Sequence, residues 1–485
     1  MSGRADSPVV PAAEFLAGRR RLHLMGIGGA GMSGLAEWLI DRGHEVSGCD
    51  ARASAATRRL ERLGARVSPG HDPAHLTDAD ALVVSSAIGL DEAERIAAQE
   101  RGLPVIRRAE LLGAVMASAR GIAIAGTHGK STTTTMTGSV LEAGGHDPTV
   151  IVGGRIRGRD GNVRIGAGAW LVAEADEFDR SFLALAPEIA VVTNVEADHL
   201  DIYGTEEAVR AAFADFARRV SPQGLLVRGM DDPGARALSP PEGVDMLGFG
   251  LDADAEVRAV EIKSGPGGIA FDLRLGTLPA ERIRLAMPGI HNVRNALAAA
   301  AVAWRLEVPP ERIRAGLEAV RGVERRFEVL YADPDLMIVD DYAHHPSEIA
   351  ATLTAAREGW VGRRVVAVFQ PHLYSRTRDF AAEFGAALAA AGLVFVTDVY
   401  AAREEPIPGV SGRLVADAAR RAGAAVRYLP DETAAGADPA EVVEAALEPG
   451  DLVVTLGAGD IDEVARRLTA RRAAAGGRGR VGAGA

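Results

Sequence analysis

The chain has 485 residues, 47% hydrophobic, and a formal net charge of −12. That length implies two or three domains. The acidic balance excludes broad binding to nucleic acid or an anionic membrane, though not an anionic ligand held by a local arginine cluster.

In chain order, Arg21–Met25 reads as a strand, Gly26–Gly31 as a G-x-G-x-x-G turn and Met32–Asp41 as a helix; a second strand, Glu45–Cys49, ends on Asp50. The strand Ala81–Ser86, a helix starting near Asp91, the strand Pro104–Ile106 and the helix Glu110–Ser118 continue the alternation. Such a β-turn-α-β unit binds a diphosphate at its helix N-terminus, and Asp50 stands where it can meet a ribose or the turn beside it. NAD is the default ligand of that pattern, but any ribose-diphosphate fits.

The next strand, Gly121–Ala125, runs into Gly126-Thr-His-Gly-Lys-Ser-Thr132, and a helix is expected from about Ser131. Lys130 is one of only two lysines, with Lys263, among 54 basic residues. Where arginine supplies nearly all the positive charge, a retained lysine marks a slot needing a slim point charge, as at the outer phosphates of a nucleoside triphosphate. Ile124 takes the place of the first glycine in the usual phosphate loop, so the working pattern is G-x-x-G-K-S. The hydroxyl of Ser131 or Thr132 would complete a Mg²⁺ shell.

Two polar clusters follow predicted strands of the same sheet: Glu174-Ala-Asp-Glu-Phe-Asp179 after Trp170–Ala173, and Thr193-Asn-Val-Glu-Ala-Asp-His-Leu-Asp201 after Ile189–Thr193. Beside a phosphate loop they read as metal ligands. Glu174 is the natural hard donor, whereas His199 is a less expected one for magnesium. Residues 224–288 read as an antiparallel excursion, and Pro288–Asn295 opens an Ala-rich helix.

The last third alternates again, with strands at Leu336–Val339, Val365–Phe369, Leu393–Thr397 and Leu452–Leu456. The pair His344-His345 is a poor zinc signal because adjacent side chains diverge, while Arg376 and Arg378 suit a small carboxylate. Cys49 is the only cysteine, so neither an intrachain disulfide framework nor a cysteine-based zinc site is expected. Met1–Gly18 lacks a signal-peptide pattern and no apolar run is long enough to span a bilayer, which makes the cytoplasm the expected compartment.

Taken together, GIGGAGMSG at 26–34, GTHGKSTTTT at 126–135, EADEFDRSF at 174–182, TNVEADHLDIYG at 193–204, PGIHNVRNALAA at 288–299, GVERRFE at 322–328, DDYAHHPSEI at 340–349 and FQPHLYSRTRDF at 369–380 form a specific set. The chain resembles the Mur ligases of peptidoglycan synthesis, over nearly its whole length, and among them the member that adds L-alanine to UDP-N-acetylmuramic acid.

The resemblance implies an α/β enzyme of three domains, each on a mainly parallel sheet. Residues 20–118 would form a Rossmann-like UDP-sugar domain and 119–323 a P-loop-type ATP domain. A Rossmann-like amino-acid domain would span 324–470, with a disordered tail at 471–485. It implies ATP and Mg²⁺, an acyl-phosphate intermediate, and a monomer or homodimer with no nucleic-acid or membrane partner.

By resemblance Gly28, Gly29, Ala30, Gly31, Met32, Asp50, His71, Ser85 and Ser86 hold the UDP-sugar. Gly126, Thr127, His128, Gly129, Lys130, Ser131, Thr132, His291, Asn295, Arg326 and Asp341 serve ATP. Ser131, Glu174 and His199 serve the metals, and Tyr342, His344, Arg376 and Arg378 the alanine. Lys130, Glu174, His199, Arg326 and His344 form the implied catalytic set.

Many relatives carry arginine where Leu373 stands, which removes one arm of the presumed alanine-carboxylate clamp, and Ser131 replaces a more usual threonine. No lysine lies near His199 to be carbamylated, as later ligases of the pathway require. The rivals are a murein tripeptide recycling ligase, a dinucleotide-dependent oxidoreductase and a nucleotide-binding regulator without chemistry.

Overall fold

A computed structural model describes residues 16, 18, 20–158, 161–433, 436–474 and 480–481. The first apolar runs become β1 (Arg21–Met25), β2 (Glu45–Asp50), β3 (Arg66–Pro69), β4 (Ala81–Val84) and β5 (Val105–Arg107), ordered β3-β2-β1-β4-β5. All neighbours are parallel. The order reverses between β1 and β4, so the glycine turn after β1 opens at a switch point, where open α/β sheets bind ligands. The helix after it starts at Ala30 rather than Met32, with Gly29 as N-cap. The sequence reading has no counterpart of β3, a four-residue edge strand without a fully buried position.

The second sheet contains β6 (Arg120–Ala125), β7 (Thr149–Ile151), β8 (Val163–Arg164), β9 (Trp170–Glu174), β10 (Ile189–Val192), β11 (Leu225–Gly229) and β12 (Asp245–Gly250), in the order β8-β7-β9-β6-β10-β11-β12. Only β7 and β8 pair antiparallel among these. Here the sequence expectation for 224–288 fails over its first half: β11 and β12 extend the parallel sheet, and β13 (Val257–Gly265) starts parallel to the end of β12. The connection explains it, because β11 leaves through the short helix Pro233–Arg236 instead of reversing in a two-residue hairpin. Two further strands, β14 (Gly268–Leu275) and β15 (Glu281–Leu285), precede the helices Ile290–Arg305 and Pro310–Ala319.

The third sheet holds β16 (Glu328–Ala332), β17 (Leu336–Asp341), β18 (Val365–Phe369), β19 (Leu393–Val396), β20 (Val426–Tyr428), β21 (Asp451–Leu456) and β22 (Arg480–Val481), ordered β20-β19-β18-β21-β17-β16-β22. It is parallel from β20 to β17 and antiparallel at β16 and β22. A tail disordered from residue 471 is therefore corrected. The last helix runs through Ala474 because Arg471 bonds to Glu444 and Glu441, and Arg480–Val481 pairs with β16. The rest of that expected tail, 475–479 and 482–485, lies outside the described residues.

The chain is thus α/β with three mainly parallel sheets. It packs as two compact units, one bounded by Met1–Val260, Leu273–Glu281 and Arg294–Ala319, the other by Glu261–Asp272, Arg282–Val293 and Val320–Ala485. In the first, Phe182 stacks on Phe216 at 5.0 Å and meets Phe213 edge-on at 5.1 Å, all three fully buried. In the second, Phe369 and Phe384 lie 5.2 Å apart over Leu353 and Leu388. No helix among the described residues is long and apolar enough to cross a membrane. Phe182→Ala should cost about 3–5 kcal/mol of stability, read as a lower denaturation midpoint with an unchanged slope in urea.

Candidate active site

The glycine turn is built to place backbone N–H groups at a helix start. Gly26 takes a positive φ of 72°, and its N–H and that of Ile27 donate to Cys49 O. Gly28 N donates to Asp50 Oδ2 at 2.9 Å, so Asp50 braces the turn. A Cβ on Gly28 would stand 2.9 Å from that oxygen, and one on Gly31 would stand 2.8 Å from Arg108 Nη1. Arg108 therefore sits against the N-terminus of the helix, adding a full cation to the partial charges already there.

Alongside lies a cleft of about 730 Å³ lined by Ser85, Ser86, Arg95, Arg107, Arg108, Asp179, Arg180 and Arg219. Five guanidiniums against one carboxylate make it anion-attracting within an acidic protein. The sequence reading found Ser85 and Ser86 but none of these arginines. They come from distant segments that only the fold assembles, so no local pattern announces them. Met32 is buried in the core with 1% exposure, leaving only its backbone at the turn. His71 turns to Cys49 Sγ, 3.1 Å from its Nδ1.

In the same unit β6 delivers the lysine loop. Gly126 has φ 135°, and a Cβ there would lie 1.9 Å from Thr193 Oγ1, so only glycine fits between the ends of β6 and β10. Gly129, at φ 84°, caps the helix Lys130–Ala143, and a Cβ there would lie 2.4 Å from Asn295 Oδ1. Asn295 also accepts from Thr133 at 3.2 Å. Thr127 and His128 are tied to the 193–196 segment: Glu196 N donates to Thr127 Oγ1 at 2.9 Å, and His128 N to Asn194 Oδ1 at 2.9 Å. Thr132 is buried in the first helical turn.

Lys130 Nζ donates to Gly126 O at 2.8 Å, Thr127 O at 3.1 Å and Glu177 Oε2 at 2.7 Å. Burial opposes its charge, but Glu177, Asp176 and Glu174 outweigh burial and raise its pKa. Burial pushes Glu177 up to about 7, against the pull of Lys130. Glu174 is likewise raised by burial, although Gly153 N, at 2.5 Å, and the Ser131 hydroxyl both bond to it. His199 Nε2 lies 3.7 Å from Glu177 Oε1 and 3.8 Å from Asp198 Oδ2, its backbone left-handed at φ 54°. Ser131 and Glu174 together supply the hard oxygen donors that Mg²⁺ prefers, so the donor set fits that ion. Glu177 is the residue the sequence reading passed over. Its signal was present, three residues beyond Glu174 in the same polar cluster.

The second unit carries another polar group around the ends of β17, β18 and β21. Arg325 donates to Asp340 Oδ2 at 3.0 Å and to the carbonyls of Gly459 and Gly457 at 2.9 and 2.8 Å. Arg325 and Arg326 both lie over the Tyr342 ring, at 5.0 and 5.3 Å, and Arg326 approaches Glu348 at 3.4 Å. The carboxylate of Asp341 is occupied by the backbone, accepting from Phe327 N and Ala343 N at 2.8 Å each, and burial pushes it up to about 6 despite Arg326. Through these two bonds it shapes the loop.

His344 Nδ1 stands 2.9 Å from Tyr342 O, and since a carbonyl only accepts, Nδ1 carries the proton and Nε2 the lone pair. His345 turns instead to Ser347 at 2.8 Å, so the two histidines do part. Arg376 is buried, but Arg378 is exposed and engaged by Asp379 at 2.7 Å. Leu373 is buried at φ 69°, a strained conformation for a branched side chain, and Leu373 N donates to Tyr400 O. His291 opens its helix over Gly289, where a Cβ would meet its ring at 2.5 Å.

Three family models match in succession: the Mur ligase family catalytic domain over residues 21–120, the Mur ligase middle domain over 170–303, and the Mur ligase glutamate ligase domain over 325–459. The chain belongs to the Mur ligase family. A UDP-N-acetylmuramate–L-alanine ligase from Kineococcus radiotolerans is 50% identical, covering 94% of this chain and 97% of that protein. The crystal structure of a UDP-N-acetylmuramate-alanine ligase from Thermotoga maritima matches with a TM-score of 0.79 at 27% identity, over 94% of this chain and all of that one. A murein peptide ligase from Psychrobacter arcticus, at 24% identity, 95% coverage of this chain and 99% of its own, shares the fold with a TM-score of 0.67.

For this Mur ligase the raised Asp341 pKa has a readable consequence. The folded state holds the proton more tightly than the unfolded chain, so this group's contribution to stability falls as pH rises from about 4 towards about 6 and is flat above. Chemical denaturation across that range should show wild type losing stability relative to Asp341→Asn. Parallel curves would refute the assignment.

Proposed function

We propose that this Mur ligase joins L-alanine to the lactyl carboxylate of UDP-N-acetylmuramic acid, driven by ATP. The reading is carried by one juxtaposition: in a chain 50% identical to a ligase of that name, Lys130, Ser131, Glu174 and Glu177 converge at one phosphate-type loop. We further propose that residues 20–118, 119–323 and 324–470 serve the sugar nucleotide, ATP and the amino acid in turn.

A carboxylate resists amines because its oxygen is a poor leaving group. Transfer of the γ-phosphoryl of ATP to the carboxylate oxygen releases ADP and gives an acyl phosphate. The alanine amine then adds to the acyl carbon, the C–O bond to phosphate breaks, and the amine proton leaves. Two anions must meet in the first step, so positioning and charge neutralisation dominate.

The glycine turn with Arg108, and the Ser85–Ser86 edge of the arginine cleft, would hold the UDP diphosphate. Lys130 would neutralise the outer phosphates of ATP, with Asn295 and His291 towards the base and Arg326 reaching the phosphates. Ser131 and Glu174 would hold Mg²⁺, which when bound offsets phosphate charge; His199 is assigned to a second such ion beside the sugar carboxylate. Tyr342, His344 and Arg376 would take the alanine, and with Nδ1 held by Tyr342 O the Nε2 of His344 would receive the amine proton.

Phosphate release should require ATP, UDP-N-acetylmuramic acid and L-alanine together, with glycine and L-serine as weak alternatives. A one-group difference in a small pocket is worth only about 1–3 kcal/mol. Lys130→Ala should lower kcat by about 10²–10³. A preference for the preformed tripeptide would assign the chain to recycling instead, NADH binding would favour the oxidoreductase, and normal turnover in His344→Ala would remove its role as base.

A further inference from the structure

We propose that His23, Cys49, His75 and Glu94 form a four-ligand site for a borderline-soft divalent cation of the zinc class, buried directly behind the glycine turn. One donor atom from each lies within 4.8 Å of all the others. Four separate elements supply them: β1, the end of β2, the short helix Pro73–Leu76 and the helix Ala93–Glu100. His23, Cys49 and Glu94 are at 0–1% exposure, with His75 at the rim.

The atoms converge but satisfy one another only in part. Glu94 Oε1 stands 2.7 Å from His23 Nε2 and 3.5 Å from His75 Nδ1, yet all three are buried atoms that make no aligned hydrogen bond. A shared cation would take up the lone pairs that these groups leave unmatched. Cys49 Sγ lies 3.2 Å from Glu94 Oε2 and completes the set.

The donor chemistry selects the ion. Two imidazoles, a thiolate and a carboxylate are ligands of zinc-like cations, and four protein ligands in a closed pocket describe a structural site. The thiolate and carboxylate cancel a dication's charge, so the filled site would be neutral where it is buried. Burial, reinforced by Glu94, pushes the Cys49 thiol up, so cation binding must displace its proton to solvent. An outer partner is in place as well: Ser47 Oγ is 2.9 Å from His23 Nδ1, which leaves Nε2 to face the cluster.

The location gives such an ion a purpose beyond bracing the sheet. The carbonyl of Cys49 receives the N–H groups of Gly26 and Ile27 at 2.8 and 3.1 Å, and the next residue, Asp50, receives that of Gly28. A cation fixing Cys49 would hold the phosphate-facing turn from behind.

The test uses the full chain freed of metal by a chelator, then titrated with Co²⁺ in excess Mg²⁺, which fills oxygen sites but competes poorly for thiolate. Expected are one Co²⁺ per chain, a thiolate-to-cobalt charge-transfer band in the near ultraviolet, intense tetrahedral bands in the visible, displacement of Co²⁺ by Zn²⁺, and a higher melting temperature with Zn²⁺. Cys49→Ser should abolish the charge-transfer band. Ser47→Ala should weaken binding about 10–100-fold. Should Cys49→Ser fold poorly, His75→Ala at the rim must still weaken Co²⁺ binding and alter the visible bands. Absence of the charge-transfer band in wild type, or affinities unchanged in both Cys49→Ser and His75→Ala, would overturn the proposal.

Discussion

Parallel pairing imposes one constraint from which the rest of this molecule follows: the strands so paired present their carboxyl ends at one edge of the sheet. In the second sheet that edge gathers the lysine loop after β6, the acidic run after β9 and the Thr193–His199 segment after β10. Residues spread over some seventy positions in the chain become neighbours without any local signal linking them. The third sheet repeats the device, with Tyr342 after β17, His372 after β18 and Gly457 after β21.

Those loops are costly to place in a protein interior, and their charges decide what they can do. A buried ammonium needs anions around it, and Lys130 has three carboxylates within electrostatic reach. The same arrangement raises Glu177, so the pair holds its charges only by mutual support. A ligand that brings negative charge to Lys130 changes that balance at once, which makes the loop responsive to phosphate and not merely shaped for it.

Much of this was legible in the residues. The glycine turn, the lysine loop and Glu174 lie in compact motifs whose spacing is itself the geometry. The edge strand β3 escaped because four residues with a single aliphatic side chain, Val67, carry no apolar period. The parallel course of β11 and β12 escaped because a strand's direction depends on its connection, and Pro233–Arg236 is too short a helix to show. Arg107, Arg108, Arg180 and Arg219 are unremarkable in an arginine-rich chain and gain meaning only by meeting in one cleft. Asp50 was read with two options open, and the structure takes the turn. For Cys49 a count of thiols carries no information on the histidines and the glutamate that the fold gathers around it.

The near absence of lysine leaves the protein with only two side-chain amines, and they stand in opposite settings. Lys263 is exposed on β13, while Lys130 is enclosed by carbonyls and Glu177. Chemistry directed at lysine side chains therefore has a two-letter alphabet here. Acylating reagents will mark the first freely, and whatever reaches the second reports on whether its pocket is shut, open or filled, turning a quirk of composition into an internal gauge of the loop.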